Sequence, residues 1–358
     1  MATRLSLTMP RARNKENDGL PKRWKHHHGA YYYLVPSGQE PAWDGKRKFR
    51  LGKTLPEAYK IWAERIGRTD NVRTVGDLLD RYALEVIPAK APSTQTQNMA
   101  GLKNIRAKFG TAPLDAVEPT HIYQYLDWRP AKTAAKREIE ILSHAFTMAV
   151  KWGYIKTHPF AWQLRIESDA PRTRYVEDWE IVECLSIDSK RKKGSVLAVQ
   201  SYIRVKLLTG MRRGDLLRLR MADMQDDGIH LAPNKTLKST GKRVIIQWSD
   251  ELREAVAMAK AVRPVMIGPY LFCNRSGECY IDETTGRAGG WESLWRGFMA
   301  RVLKETKVTE RFTEHDLRAK CASDAETLAH AQALMTHADS RITERIYRRK
   351  PEMVKPLR

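Results

Sequence analysis

The stretch that decides the architecture reads Leu208-Thr209-Gly210-Met211-Arg212-Arg213-Gly214-Asp215-Leu216-Leu217. Gly210 breaks one helix, and Leu216, Leu217 and Leu219 draw the next one into a core. Arg212 is thereby set at a helix start, where free backbone N–H groups and the helix dipole favour an anion. Taken alone, such an arginine reads first as the ion-pair partner of an acid such as Asp215.

Three segments further along gain meaning beside it. The first is a β-hairpin, Gly228–Leu231 and then Val244–Ile246, whose turn carries Lys235, Lys238, Lys242 and Arg243. A basic turn is ordinarily solvated surface. A lysine on a hairpin can nevertheless reach a phosphate and protonate a leaving oxygen. The second is Phe312-Thr313-Glu314-His315-Asp316-Leu317-Arg318. Thr313 and Asp316 have capping-box spacing, so His315 and Arg318 share one face near a helix start and offer an imidazole and a guanidinium to one phosphate. The third is Leu334-Met335-Thr336-His337, followed by Thr343-Glu344-Arg345-Ile346-Tyr347-Arg348-Arg349-Lys350-Pro351. Any one tyrosine on a C-terminal helix is ordinarily a packing residue, but Tyr347 lies in a crowd of cations that favours an anionic oxygen.

The ordered set is an arginine in a TG-x-R-x-x-D-L-L context, a hairpin lysine, H-x-L-R, a histidine and then a tyrosine near the end. It resembles the tyrosine recombinase (phage integrase) family, of the phage or prophage integrase type, over about 175 to 350. The helical region before it is similar to the family's SAM-like core-binding domain. Residues Arg11 to about Arg68, with Gly29-Ala30-Tyr31-Tyr32-Tyr33 and Leu51-Gly52-Lys53-Thr54, are similar to its arm-binding segments. The resemblance implies that Tyr347 attacks a scissile phosphate, leaving a 3′-phosphotyrosyl link and a free 5′-hydroxyl. Arg212 and Arg318 clamp the nonbridging oxygens, Lys235 is the general acid, His315 is an acid/base, His337 hydrogen-bonds the phosphate, and Asp215 orients the arginines. Lys238 stays open as the alternative general acid. Neither metal nor nucleotide cofactor is implied, because the phosphodiester energy is kept in the covalent intermediate. The implied partners are double-stranded DNA attachment sites and three further copies in a homotetramer on DNA, with room for a host DNA-bending protein and an excisionase. Two departures stand out. Thr336 occupies the place where family members usually carry glycine, and nine residues separate His337 from Tyr347, one more than the commonest spacing.

Composition points the same way. Lys+Arg 63 against Asp+Glu 42 leaves a formal charge of +21, which attracts polyanions through counterion release. No segment approaches the ~18–20 apolar residues of a membrane span, and no apolar leader follows the Arg-rich start. A cytoplasmic, nucleoid-associated protein of a bacterial host is expected. Cys184, Cys273, Cys279 and Cys321 lack zinc-site spacing and read as reduced thiols.

The expected fold is mainly α with small β elements: a β-rich arm-binding module, a helical core-binding domain and an α+β catalytic domain. Residues 1–70 form the module. Within it 1 to about 28 read as a flexible basic arm, Tyr31–Val35 and Lys48–Leu51 as strands, and Leu55–Ile66 as a helix. Residues 74–167 read as helices, one capped at Thr74 (with Asp77), one at Ser93, one starting at Thr120, and a longer one from Ala131 to Trp152. Residues 168–174 are the linker, and 175–358 the catalytic domain with its tail. The candidate DNA contacts are Lys22, Arg23, Lys46, Arg47, Lys48 and Arg50 in the module, and Lys103, Arg106, Lys132, Lys136 and Arg137 on the helices. Competing readings are a silent DNA-binding protein, disfavoured because Arg212, Arg318 and Tyr347 are all present, and a type IB topoisomerase with the same chemistry. A metal-dependent transposase lacks its carboxylate framework here.

Overall fold

The computed structural model describes residues 15–66, 72–167, 169–189, 194–351, 354 and 356–357. The start of the expected arm, residues 1–14, lies outside them. The chain forms two compact units, Met1–Asp169 and Ala170–Arg358, so the break falls within the stretch expected as a linker.

In the first unit, β1 (Trp24–His27), β2 (Ala30–Leu34) and β3 (Lys48–Gly52) make an antiparallel sheet in that order, followed by α1 (Leu55–Ile66). β1 corrects the arm expectation, because residues 24–27 are ordered as a strand. Its reason is Trp24, buried against Tyr59 and Trp62 with ring centroids 4.8 and 5.6 Å away. Between β1 and β2, His28 and Gly29 both take positive φ (48° and 67°), the primed-turn geometry that matches the twist of a two-residue hairpin. Alternation puts Trp24, Tyr33, Phe49 and Leu51 inward.

The helices are α2 (Val75–Glu85), α3 (Pro92–Phe109), α4 (Pro119–Trp128) and α5 (Lys132–Lys151). Thr74 and Asp77 form the expected capping box. α3 starts two residues and α4 one residue earlier than expected, each on a proline whose fixed φ suits a first helical position, so Ser93 is not the cap and Thr120 not the first residue. Ile139, Leu142 and Phe146 form the buried stripe of α5. One core runs from Trp24 and Trp62 through Leu78 and Ile105 to Phe160, so the sheet and the helices pack as one body.

The second unit contains α6 (Asp178–Ser186), α7 (Ser195–Thr209), α8 (Arg213–Leu217), β4 (Met224–Gln225), β5 (Gly228–Leu231), α9 (Leu237–Thr240) and β6 (Val244–Gln247). It continues with α10 (Asp250–Ala261), α11 (Gly289–Glu305), α12 (Glu314–Asp324), α13 (Leu328–Leu334) and α14 (Ser340–Ile342). α7 is the buried axis, with Val199, Tyr202, Ile203 and Val205 fully enclosed. Tyr202 packs on Trp291, Phe272 and Trp295 with centroids 4.5, 5.4 and 6.4 Å away. β5 and β6 form the expected hairpin, Leu231 opposite Val244, and its turn includes the helical turn α9.

Candidate active site

Four segments of the second unit converge. α7 ends at Gly210 in the left-handed conformation (φ 59°), which residues with a Cβ rarely adopt, and this lets the chain turn sharply beside Met335 and Cys321. The turn sets Arg212 as the residue capping α8. Buried Lys206 braces it, donating to the Met211 carbonyl at 2.7 Å, and burial pulls its ammonium down to about 7.

Arg318 enters from α12, 2% exposed. It donates to the carbonyls of Gly210 and Met335, the latter at 2.7 Å, and its Nη2 lies 3.4 Å from His337 Nε2. Its buried Nε has no partner. Among the described residues no carboxylate lies within ion-pair distance of Arg318 or of Arg212. Burial, then the repulsion of Arg212, holds the Arg318 guanidinium below its usual range, with the Tyr347 side chain opposing. The acids nearby are taken by the next residue: Arg213 meets Glu292 at 3.1 Å and Glu314 at 3.9 Å. Arg212 Nη1 instead donates to Thr336 Oγ1 at 3.0 Å. Thr336 carries φ 52°, a left-handed backbone that strains a β-branched residue and that glycine adopts freely.

Tyr347 is buried, with the rings of His337 and His315 at 4.9 and 5.1 Å and the Arg318 guanidinium 5.3 Å from its ring centre. The additional residue between His337 and Tyr347 goes into a π-helical turn over Thr343–Tyr347, closed by the Arg348 amide donating to the Thr343 carbonyl at 3.0 Å. Thr343 Oγ1 is 2.9 Å from His337 Nδ1, which fixes the imidazole in plane. Both histidines are held down at about 4. For His337 the causes are burial, then Arg318, Arg212 and Lys242; for His315 they are burial, then Arg318, Arg349 and Lys206, opposed by Asp316. His315 keeps a surface open to solvent. Both rings are neutral near pH 7, each with a nitrogen able to take a proton.

Lys235 lies exposed in the turn after β5, and the side chain of Lys238 lies outside the described residues. Asp215 corrects its expected role. It accepts from the Asn234 amide at 2.9 Å, so it ties the lysine-bearing turn to α8, and its other oxygen is buried without a partner. Only its long-range charge reaches Arg318. No group of three or more metal-binding side chains occurs among the described residues.

A model of the phage integrase family matches residues 180–353. The integrase of Enterobacteria phage 434 is 26% identical over 244 residues, covering 64% of this chain and 66% of that protein. A lambda integrase dimer bound to a COC′ core site has a similar fold, with TM-score 0.61 and 21% identity over 96% of this chain and 99% of that one. A lambda integrase tetramer bound to a Holliday junction gives 0.58 and 22%, over 90% and 97%. Residues 180–353 thus carry a phage integrase family domain.

Against that family frame, the cations of the first unit divide. Lys22, Arg23, Lys46, Arg47, Lys48 and Arg50 are exposed. Lys48 lies over the Tyr32 ring at 4.2 Å, and Lys25, Tyr32 and Arg50 line up across the three strands. Arg137 is exposed on α5. Lys103 donates to the Glu16 carbonyl at 3.3 Å, Lys132 to those of Leu126 and Asp127 at 2.7 and 2.9 Å, and Lys136 meets Asp169 at 2.5 Å. Arg106 is a correction, because it is buried, paired with Asp80 at 2.5 Å and bonded to the Gly76 carbonyl at 2.9 Å. It lies on the inward face of α3, and a basic residue on a helix shows its side only through the neighbouring apolar stripe of Leu102, Ile105 and Phe109. Sequence reasoning passed over Lys206, Thr343 and the Thr336–Arg212 contact. Lys206 had a partial signal, one of two cations (with Arg204) in the otherwise apolar run Tyr202–Leu208.

Proposed function

We propose that the chain is a site-specific DNA recombinase that integrates and excises a phage or mobile element by cleaving and rejoining strands through a 3′-phosphotyrosyl intermediate. The observation that carries this is the pair Arg212 and Arg318, converging beside Tyr347 with no carboxylate in reach. A buried guanidinium without a counter-ion is costly, and a phosphodiester bound there supplies the missing charge.

The chemistry follows from the positions. Arg212 and Arg318 hold the two nonbridging oxygens and take up the charge that grows on them in the transition state. Neutral His315 receives the Tyr347 phenolic proton, and the phenolate oxygen forms a bond to phosphorus. The bond to the 5′ oxygen breaks, and Lys235 protonates that oxygen. The reverse sequence, with a 5′-hydroxyl from another strand as nucleophile, releases Tyr347 and completes the exchange. His337, steadied by Thr343, donates to the phosphate. No step is assigned to a metal.

The substrate is duplex DNA. Lys22, Arg23, Lys46, Arg47, Lys48, Arg50 and Arg137 supply phosphate contacts from the first unit, a positioning role that carries no sequence information. A homotetramer on two duplexes is the working assembly, with a host DNA-bending protein and an excisionase as accessory partners, in the cytoplasm on the nucleoid. The test is a suicide substrate, incubated with wild type and Tyr347→Phe in EDTA. An SDS-stable protein–DNA adduct forms with wild type alone. Cleavage that requires magnesium, or that survives in Tyr347→Phe, overturns the mechanism. Strand exchange between two attachment sites, rather than relaxation of any supercoiled plasmid, separates a recombinase from a topoisomerase.

A further inference from the structure

The nucleophile segment is fastened at its far end by contacts that none of the roles above uses. Ser323, buried on α12, donates to the Tyr347 carbonyl at 3.0 Å and accepts from the Arg349 amide at 2.7 Å. The Arg349 side chain is 4% exposed and reaches Asp316, itself fully buried, at 2.6 Å. It also donates to the carbonyls of Ile346 at 3.0 Å and Arg174 at 3.1 Å. Asp316 is the capping-box acid of the helix that carries His315 and Arg318, so the same carboxylate fixes the phosphate-binding helix and the tyrosine segment. Of the three cations that directly follow Tyr347, Arg349 turns inward, while Arg348 and Lys350 are exposed.

We infer that Ser323 and Arg349 are positioning residues, a latch that seats Tyr347 against the arginines of its own chain. The latch acts on the backbone that bears the tyrosine; without Arg349, Asp316 keeps Arg172 at 3.1 Å and its capping-box bonds, so the helix that carries Arg318 stays capped. A tyrosine-bearing tail held only by its aromatic contacts is free to leave; a tail bonded through Ser323 and paired with Asp316 opens only by breaking a buried ion pair.

The proposal rests on the recombinase reading, and its test has one arm that does not. In that arm, hydrogen exchange is measured on the full chain. Arg349→Ala and Ser323→Ala each speed exchange over residues 343–350 by about tenfold or more, while α7 and α12 keep their protection. Unchanged exchange over 343–350, or a loss of protection spread over the whole unit, overturns the latch.

The second arm separates delivery of the nucleophile from activation of the phosphate. In a Tyr347→Phe background, hydrogen peroxide serves as a small outside nucleophile. Its oxygen bonds to phosphorus, the 5′ oxygen leaves with a proton, and a 3′-hydroperoxyphosphate results. Adding Arg349→Ala to that background changes the peroxide-driven rate by less than about twofold, whereas Arg349→Ala alone lowers Tyr347-driven cleavage about tenfold or more, and Arg349→Lys restores part of it. An equal fall in both reactions, or no fall in the tyrosine reaction, overturns the latch. If peroxide cleaves nothing in Tyr347→Phe and wild type forms no adduct, the recombinase reading has failed, and the exchange measurement still decides the latch.

Discussion

Two buried arginines, one in each unit, are handled in opposite ways. Arg106 in the first unit is fully enclosed and meets Asp80, the Gly76 carbonyl and the Tyr59 hydroxyl. Arg318 in the second is as deeply enclosed and meets two carbonyls, a histidine edge and no acid. The first is a closed structural pair: burial pushes Asp80 up to about 6 even beside its partner, and removing either member strands the other. The second is left open on the side that faces Tyr347. Burial of charge is thus uninformative until the partner is identified, and a missing partner marks where a ligand belongs.

Exchanging the two arginines for alanine tests this contrast most severely. Arg318→Ala lowers single-turnover cleavage by about 100- to 1,000-fold or more, the scale for losing one preorganised charge donor, and leaves the unfolding midpoint nearly unchanged or higher. A protein that unfolds with Arg318→Ala but keeps its cleavage rate when folded breaks the comparison. Arg106→Ala has the reverse profile. It destabilises by about 3–5 kcal/mol in urea titrations, because Asp80 is left buried without its partner and must take up a proton to stay there, and pairing it with Asp80→Leu recovers much of that loss.

The two histidines sharpen the contrast through pH. Their folded values near 4 lie below the usual 6.5. Above pH 6.5 both states are neutral and contribute nothing. Between 6.5 and 4 the unfolded chain takes up protons that the native site refuses, so stability falls as pH drops and levels off below about 4. His337→Gln flattens that fall in thermal melts from pH 7 to 4. An equal slope in the variant removes His337 from the account. A bound DNA phosphate raises both values, so DNA binding near pH 5 takes up protons.

The smallest effect expected is at Thr336. Thr336→Gly relieves a left-handed backbone at a cost of one hydrogen bond to Arg212, giving a stability gain of about 1 kcal/mol or less and cleavage slowed by about fivefold. Equal cleavage in the two proteins shows that Arg212 holds its place without the threonine.

The candidate site was legible because chemistry dictates residue types at positions where helices begin: Gly210 before Arg212, Thr313 before His315 and Arg318, and a tyrosine beyond His337. Capping boxes at Thr74 and Thr313 were legible for the same local reason. β1 escaped because its alternation is carried by a single tryptophan among lysine and histidines. The inward turn of Arg106 and Arg349 escaped because sequence records that a residue is basic, while burial depends on which face meets the core. Asp215 kept its expected place beside Arg212 but serves a different neighbour, a distinction that spacing along the chain does not encode.

The π-helical turn at Thr343–Tyr347 has a bearing on how such chains diverge. A helix that absorbs one added residue as a local bulge leaves everything on either side in register: Thr343 still meets His337, and Tyr347 still faces Arg318. One residue added within such a bulge leaves Tyr347 in register, where the same addition in a regular α-helix would rotate it by about 100° away from Arg318.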